Sequence, residues 1–315
     1  MRLDSAIKRL IFCFGICLSI HGHAHGQQPE APDVIKVDTN LVVFDAQVVD
    51  KKSGRVIGDL TKNDFELTDN GVKQQIDYFS RDELPLSIIL LLDVSRSVRP
   101  IVHDVRDGAL NALQRLKPQD QVAVMAFAAH TSLAQDFTTD RALAARKIQD
   151  ATATSVLGDG TFLPAALREA AFHMEHSNTP SSRRVIIVVT DNIAPDGGQD
   201  TLHDVSESGA VIYGLIVRAA IGKVFNVVSL GKIKAVNKFA DETGGEVMGA
   251  GKSEIDQKLG VMIDHLRARY AIGFRPSDTN DNGKFRPVKI TVSPATKKEK
   301  PIVLTRRGYY LRRRD

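Results

Sequence analysis

The middle of the chain alternates between two hydrophobic patterns. Four short runs are almost wholly apolar, as in parallel strands buried on both faces; they cover residues 86–92, 122–127, 185–189 and 211–217. Between the runs, apolar residues recur every three or four positions, which is typical of helices packed on one face. The three clearest stripes are Val102, Val105, Ala109, Leu113 and Leu116; Leu163, Leu167, Ala170 and Met174; and Ile255, Leu259, Met262 and Leu266. Repeated strand–helix units predict an α/β fold over residues 84–269, with a doubly wound, mostly parallel sheet between two helical layers.

The segments on either side of this region have a β pattern. In residues 34–83, Asp69-Asn70-Gly71 marks a hairpin turn, and in residues 270–315 a second turn is marked by Asn282-Gly283. Each flank has 50 residues or fewer, near the size below which a lone core is rarely sufficient. We therefore predict that the flanks pack together as one β-sandwich-like domain with the α/β domain inserted between them. Two separate β appendages are the alternative.

The amino terminus has the features of an export signal. Arg2, Lys8 and Arg9 precede an apolar run at residues 10–20, and small residues follow at 24–26. The run is too short to span a bilayer core of about 30 Å, but it fits a signal-peptide core. We predict a signal peptide at 1–26, a polar linker at 27–33, and an exported protein, periplasmic or extracellular, with no transmembrane span in the mature chain. A membrane anchor is the alternative.

Composition excludes several classes of function. The net charge is only +4, from 42 basic and 38 acidic residues, so no nucleic-acid partner is expected. Both cysteines, Cys13 and Cys17, lie in the predicted signal, which leaves no thiol for a nucleophile, a thiolate metal site or a disulfide. Neither a G-x-S-x-G nor an H-E-x-x-H motif is present.

Oxygen-bearing side chains follow the ends of the predicted strands. The first strand leads directly into Asp93-Val-Ser95-Arg-Ser97, and Asp191 follows a later strand. Thr161 follows a glycine-rich stretch before a helix. In doubly wound sheets the loops after the carboxyl ends of the strands form the ligand crevice, and oxygen donors suit Mg²⁺. Turn and helix-capping chemistry is the alternative for each motif taken alone.

The three motifs, in this order on this fold, resemble the von Willebrand factor A domain and its metal-ion-dependent adhesion site. The matching residues are Asp93, Ser95, Ser97, Thr161 and Asp191. The resemblance implies a Rossmann-like fold and a divalent cation, usually Mg²⁺, with Mn²⁺ or Ca²⁺ as alternatives. In such a site the hydroxyls and aspartates hold the cation, and an acidic side chain of a protein ligand completes its coordination.

The flanks resemble a bacterial subgroup, the VWFA-related acidobacterial family. The similarity lies in Asp64-Phe65, in the Asp69 turn, and in Arg307-Gly308-Tyr309-Tyr310. Two positions depart from the domain's usual pattern, since Arg96 and Asn192 stand where glycine is common. The resemblance implies a non-enzymatic interaction or adhesion module. A Mg²⁺-dependent hydrolytic enzyme using the same site and a metal-free structural scaffold are the alternatives.

Overall fold

The computed structural model describes most of the chain after residue 40. The described residues are 41–81, 84–179, 183–192, 199–218, 235–278, 284–293 and 301–310. The signal peptide predicted at 1–26, the linker at 27–33 and the turn at Asn282-Gly283 lie outside them. All elements below belong to one compact unit, Asn40–Asp315. No helix in the described part of the chain is long and apolar enough to cross a membrane.

Strands and helices alternate in the middle of the described chain, and the segments on either side contain strands and no α-helix. The strands are β1 (Val42–Asp50), β2 (Phe65–Asp69), β3 (Val72–Gln74), β4 (Tyr78–Arg81), β5 (Ser87–Asp93), β6 (Gln121–Phe127), β7 (Thr131–Thr138), β8 (Arg184–Thr190), β9 (Val211–Arg218), β10 (Val247–Gly251), β11 (Tyr270–Phe274), β12 (Phe285–Val292), β13 (Pro301–Leu304) and β14 (Gly308–Tyr310). The α-helices are α1 (Val102–Gln114), α2 (Arg141–Ala153), α3 (Leu163–His176), α4 (Gln199–Glu207), α5 (Ala235–Thr243) and α6 (Ile255–Arg267).

A six-stranded sheet forms the centre of the α/β region, in the order β10-β9-β8-β5-β6-β7. Neighbouring strands are parallel, except that β7 runs antiparallel to β6. Every residue of β5 is buried, as expected for a strand covered on both faces. The predicted α/β class with a mostly parallel sheet is confirmed.

Helices cover both faces of this sheet, because successive side chains of a strand point to opposite sides. Ile88 and Leu90 of β5 pack in a core with α1, α2 and α6, whereas Ile89 and Leu91 pack in a second core with α3, α4 and α5. The three predicted apolar stripes supply α1, α3 and α6. Helix α2 has no comparable stripe and is capped at its amino terminus by Asp140, whose carboxylate accepts the backbone N–H of Leu143 at 2.9 Å.

Two antiparallel sheets, in the orders β13-β1-β11-β4 and β14-β12-β2-β3, lie beside the α/β region. Strands from the two ends of the chain pair directly, β1 with β11 and β2 with β12. Phe44 and Tyr270 from one sheet share a core with Leu67 and Ile290 from the other. The sheets therefore form a sandwich. The domain boundaries at 83/84 and 269/270 stay a prediction.

Arg269, between α6 and β11, joins the sandwich to the central sheet. Its side chain is fully buried, and its guanidinium donates hydrogen bonds to Tyr213 of β9 (3.1 Å), Gln47 of β1 (3.1 Å) and the carbonyl of Gly244 (2.9 Å). A further bond goes to the carbonyl of Asp45 (2.7 Å). Because these bonds satisfy most of the buried cation, Arg269 serves as a structural connection.

Candidate metal site

The carboxyl end of β5 leads into a tight turn. Asp93 is the last residue of the strand and is fully buried. The backbone N–H groups of Val98 and Arg99 both donate to the carbonyl of Ser95 at 3.1 Å, so the chain curls back at once. This turn brings the Ser95 and Ser97 hydroxyl oxygens within 3.2 Å of each other. The alternate spacing of the two serines therefore places two neutral oxygen donors side by side.

The Asp93 carboxylate is held from both sides. One oxygen accepts the backbone N–H of Ser95 at 2.9 Å, and the other accepts the hydroxyl of Thr190 at 2.6 Å. Each carboxylate oxygen has two lone pairs, so each retains acceptor capacity. Thr190 is the last residue of β8, and its positioning role was not predicted from the sequence. The signal available there was a hydroxyl at the end of the strand adjacent to β5.

Thr161 lies in a second loop that touches the first. The Arg99 guanidinium forms an ion pair with the Asp159 carboxylate at 2.9 Å, and the backbone N–H of Arg96 faces the Asp159 carbonyl at 3.5 Å. The amino-terminal cap of α3 is Phe162, so capping does not use the Thr161 hydroxyl. Within the described residues this hydroxyl makes no hydrogen bond, so its oxygen is available to coordinate a cation.

The third loop begins directly after β8 with Asp191 and Asn192. Asn192 has a φ of 59°, a left-handed conformation that glycine adopts freely and asparagine tolerates better than most residues. The Asn192 backbone N–H donates to the Thr190 hydroxyl at 3.0 Å, and its side-chain oxygen accepts the backbone N–H of Val236 in α5 at 3.3 Å. The departure from glycine therefore preserves the backbone conformation and adds a link to α5.

Burial dominates the electrostatics of the cluster and raises the pKa of Asp93 to about 6, although hydrogen bonds from Ser95 and Thr190 lower it and the charge of Asp191 raises it further. The two aspartates therefore repel each other in a poorly solvated place, and a cation between them would relieve that repulsion. Arg96 is exposed. Arg99 is neutralised by Asp159.

The donor set is made of hydroxyls and two carboxylates. No group of three or more His, Cys, Asp or Glu side chains placed to hold a metal ion occurs among the described residues, so a cation here would depend on the hydroxyls. All-oxygen donors fit Mg²⁺ and other hard cations. The structure brings Asp93, Ser95 and Ser97 together, with Thr161 and Asp191 on the two adjoining loops. Their assignment as metal ligands stays a prediction.

Comparison with protein families identifies the class of domain. Residues 88–194 match the family model described as the von Willebrand factor type A domain. The chain therefore contains a von Willebrand factor type A domain, as the motifs predicted. The matched segment begins in β5 and includes all five predicted ligands. No match was found among curated proteins, and the resemblance to the acidobacterial subgroup stays a prediction.

Solved structures of low sequence identity are also similar. An aerotolerance-related membrane protein from Bacteroides fragilis NCTC 9343 is 17% identical, covering 57% of this chain and 98% of that chain with a TM-score of 0.45. BatB from Bacteroides thetaiotaomicron is 17% identical, covering 57% and 99%, with a TM-score of 0.43. Proximal thread matrix protein 1 from the mussel byssus, solved with a zinc-occupied MIDAS motif, is 16% identical with a TM-score of 0.46. That match covers 58% of this chain and 48% of the byssus protein.

Proposed function

We propose that this chain is an exported, non-enzymatic interaction module that binds a protein ligand through a divalent cation. The cation would be held by Asp93, Ser95, Ser97, Thr161 and Asp191. The observation that carries the proposal is the buried Asp93 carboxylate at the end of β5, with the Ser95–Ser97 hydroxyl pair beside it. A buried carboxylate paired only with an amide and a hydroxyl is poorly neutralised, and a cation completes it.

The residues divide into three roles. The Ser95, Ser97 and Thr161 hydroxyls offer neutral oxygens, while Asp93 and Asp191 supply negative charge directly or through water. Thr190 positions Asp93 by its 2.6 Å hydrogen bond. With few carboxylates in direct contact, a bound Mg²⁺ retains enough positive charge to attract an acidic side chain of the ligand.

The surroundings favour an acidic ligand. The exposed Arg96 side chain sits between the two serines in the same turn, and it forms no ion pair with any described residue. A carboxylate arriving at the cation would therefore meet a second positive charge. Arg99 does not add to this attraction because Asp159 already neutralises it at 2.9 Å.

Binding rather than turnover is proposed because the only candidate general bases among the described residues of the cluster are Asp93 and Asp191, the two aspartates assigned to the cation. Both oxygens of Asp93 already accept hydrogen bonds that hold Ser95 and Thr190 in place. A base must reach the proton that it abstracts, and moving Asp93 would break these bonds. Export is proposed from the predicted signal peptide at 1–26.

The function is tested by capture of an envelope or secreted protein on the immobilised chain. We expect capture in Mg²⁺, release of the intact partner by EDTA, and rebinding when Mg²⁺ is restored. Ser97→Ala should lose capture, whereas Ser132→Ala, an exposed serine of β7, should retain it. Capture that persists in EDTA or in Ser97→Ala would contradict the proposal, and release of a cleaved partner would favour an enzyme.

A further inference from the structure

A cavity of about 90 Å³ lies at the opposite end of the central sheet from Asp93. Its walls include Arg183 and Arg184, where β8 begins, and Val211, the first residue of β9. The sandwich closes it with Asp45 of β1 and with Arg306. A volume of this size suits one small anion.

The charge of the cavity lining is positive. Four arginines, Arg183, Arg184, Arg306 and Arg307, face two carboxylates, Asp45 and Glu242, so the formal charge is +2 from four positive and two negative groups. The Arg307 guanidinium is paired with Glu242 at 2.9 Å. Outside this pair, Arg183 and Arg306 contribute positive charge to the lining.

Arg183 and Arg306 are bonded to neutral groups and not to acids. Arg183 is only 4% exposed; it donates to the carbonyl of Leu266, and its Nε has no hydrogen-bond partner. Arg306 donates to the carbonyl of Val43 at 2.9 Å and stacks on Phe44 at 4.4 Å. Neither forms an ion pair with any described residue. Burial of its guanidinium lowers the pKa of Arg306 to about 10, although the nearby Asp45 charge raises it.

Asp45 is an acidic residue of the cavity that lacks hydrogen-bond donors. Both of its carboxylate oxygens are buried and accept no hydrogen bond of normal geometry from a described residue, although Asp45 forms an ion pair with the Nε of Arg269 at 3.3 Å. Buried acceptors of this kind are rare in folded proteins. The cavity lining therefore includes a guanidinium N–H of Arg183 that lacks an acceptor and a carboxylate of Asp45 that lacks a hydrogen-bond donor.

We propose that this cavity binds inorganic phosphate. A hydrogen phosphate ion has oxygens that accept from Arg183 and Arg306, and it also has a P–O–H group that can donate to Asp45. Sulfate has similar size and charge but no O–H at neutral pH, so its oxygens would face the Asp45 carboxylate without a proton between them. The inference is independent of the metal site, which lies at the other end of the sheet.

The test is calorimetric titration of the full chain with phosphate and with sulfate at equal ionic strength and with EDTA present. EDTA removes any cation that could bind phosphate at the Asp93 cluster. We expect phosphate to bind more than about tenfold tighter than sulfate, because a site built around a hydrogen bond rejects a ligand that lacks it. Equal affinity for the two ions, or no binding of phosphate, would overturn the proposal.

Two variants locate the site. Arg306→Gln should weaken phosphate binding by about tenfold or more, since it removes a charge-assisted hydrogen bond. Arg275→Gln, an exposed arginine paired with Asp77 outside the cavity, should leave it unchanged. Asp45→Asn replaces the carboxylate by a group that can donate, so it should raise the affinity for sulfate relative to phosphate. Because this change in selectivity is a gain of binding, it stays informative even if Arg306→Gln folds poorly.

Methyl phosphate distinguishes free phosphate from a phosphate ester. Its dianion has no O–H, so it should bind more weakly than inorganic phosphate at pH 8, above the second phosphate pKa of about 6. Equally tight binding of the ester would overturn the assignment to inorganic phosphate. Phosphate affinity unchanged in Arg306→Gln would overturn the location.

Discussion

The two ends of the central sheet differ in how their polar groups are assembled. At the carboxyl end, Asp93, Ser95 and Ser97 come from one turn of five residues. At the amino end, Asp45, Arg183 and Arg306 come from three distant segments that meet only because the sandwich covers that edge. Loops after parallel strands converge without help from the rest of the chain. A site at the other end needs a second layer to close it.

Two buried charges, Arg269 and Asp93, also differ in how completely their hydrogen-bond partners satisfy them. Arg269 and Asp93 are both fully buried. Arg269 donates to two side chains and several carbonyls, whereas Asp93 is paired only with neutral donors and has a raised pKa. Burial alone therefore does not mark a functional group. The informative feature is a buried charge whose partners do not neutralise it.

The largest expected effect is the loss of stability when Arg269 is replaced by an uncharged residue. Arg269→Met removes the hydrogen bonds that join β1 and β9 and leaves the Asp45 carboxylate without its nearest cation. We expect the free energy of unfolding to fall by about 3 to 5 kcal/mol, measured by urea denaturation. Arg275→Met, at the surface, should change it by less than about 0.5 kcal/mol. Equal effects of the two substitutions would remove the distinction drawn between Arg269 and the exposed arginines.

The second largest effect is expected on the stabilisation of the protein by Mg²⁺. A free Mg²⁺ concentration of a hundred times the dissociation constant should stabilise the wild type by about 2.7 kcal/mol. This raises the melting temperature by about 5 °C or more for a chain of this size. Asp93→Asn should abolish this shift. Asp136→Asn, at an exposed aspartate of β7, should retain it. A shift of the same size in Asp93→Asn would place the cation elsewhere.

A smaller effect is expected from the residue that positions Asp93. Thr190→Val removes the 2.6 Å hydrogen bond and should weaken Mg²⁺ binding about tenfold, in the range known for residues behind metal ligands. Thr190→Ser keeps the hydroxyl and should bind Mg²⁺ with the affinity of the wild type. Thr152→Val, whose buried hydroxyl bonds to the backbone of α2, is the control. Calorimetric titration with Mg²⁺ measures all three, and an unchanged affinity in Thr190→Val would exclude the positioning role.

The smallest effect is expected at the position that departs from glycine. Asn192→Gly keeps the left-handed conformation and loses the side-chain bond to Val236, so the free energy of unfolding should change by less than about 1 kcal/mol. Asn192→Val places a β-branched residue in that conformation and should lower it by about 1 to 3 kcal/mol. Urea denaturation compares the two, and equal effects would show that φ does not restrict this position.

Sequence patterns predicted the central region well because its signals are local. The apolar runs become β5, β6, β8 and β9, and the serine turn is contiguous in the chain. Helix α2 escaped prediction because it has few large apolar residues and is defined by its Asp140 cap. The edge strand β7 escaped because its residues are mostly half-exposed.

Contacts between distant residues explain what the sequence could not predict in the sites. A hydroxyl at the end of a predicted strand does not by itself indicate that Thr190 reaches Asp93, a residue 97 positions away. The arginines of the cavity are likewise unremarkable until β1 and β8 are brought together. Prediction of such groups requires the fold, because only packing reveals which charges remain without a partner.

The most direct test of the metal site is anomalous diffraction from crystals grown with Mn²⁺. We expect one anomalous peak at the carboxyl end of β5, within coordination distance of the Ser95 and Ser97 hydroxyls. We also expect the peak to be absent from Asp93→Asn crystals grown in the same way. Crystals at saturating Mn²⁺ with no peak at these hydroxyls, or with an unchanged peak in Asp93→Asn, would contradict the assignment of the metal site.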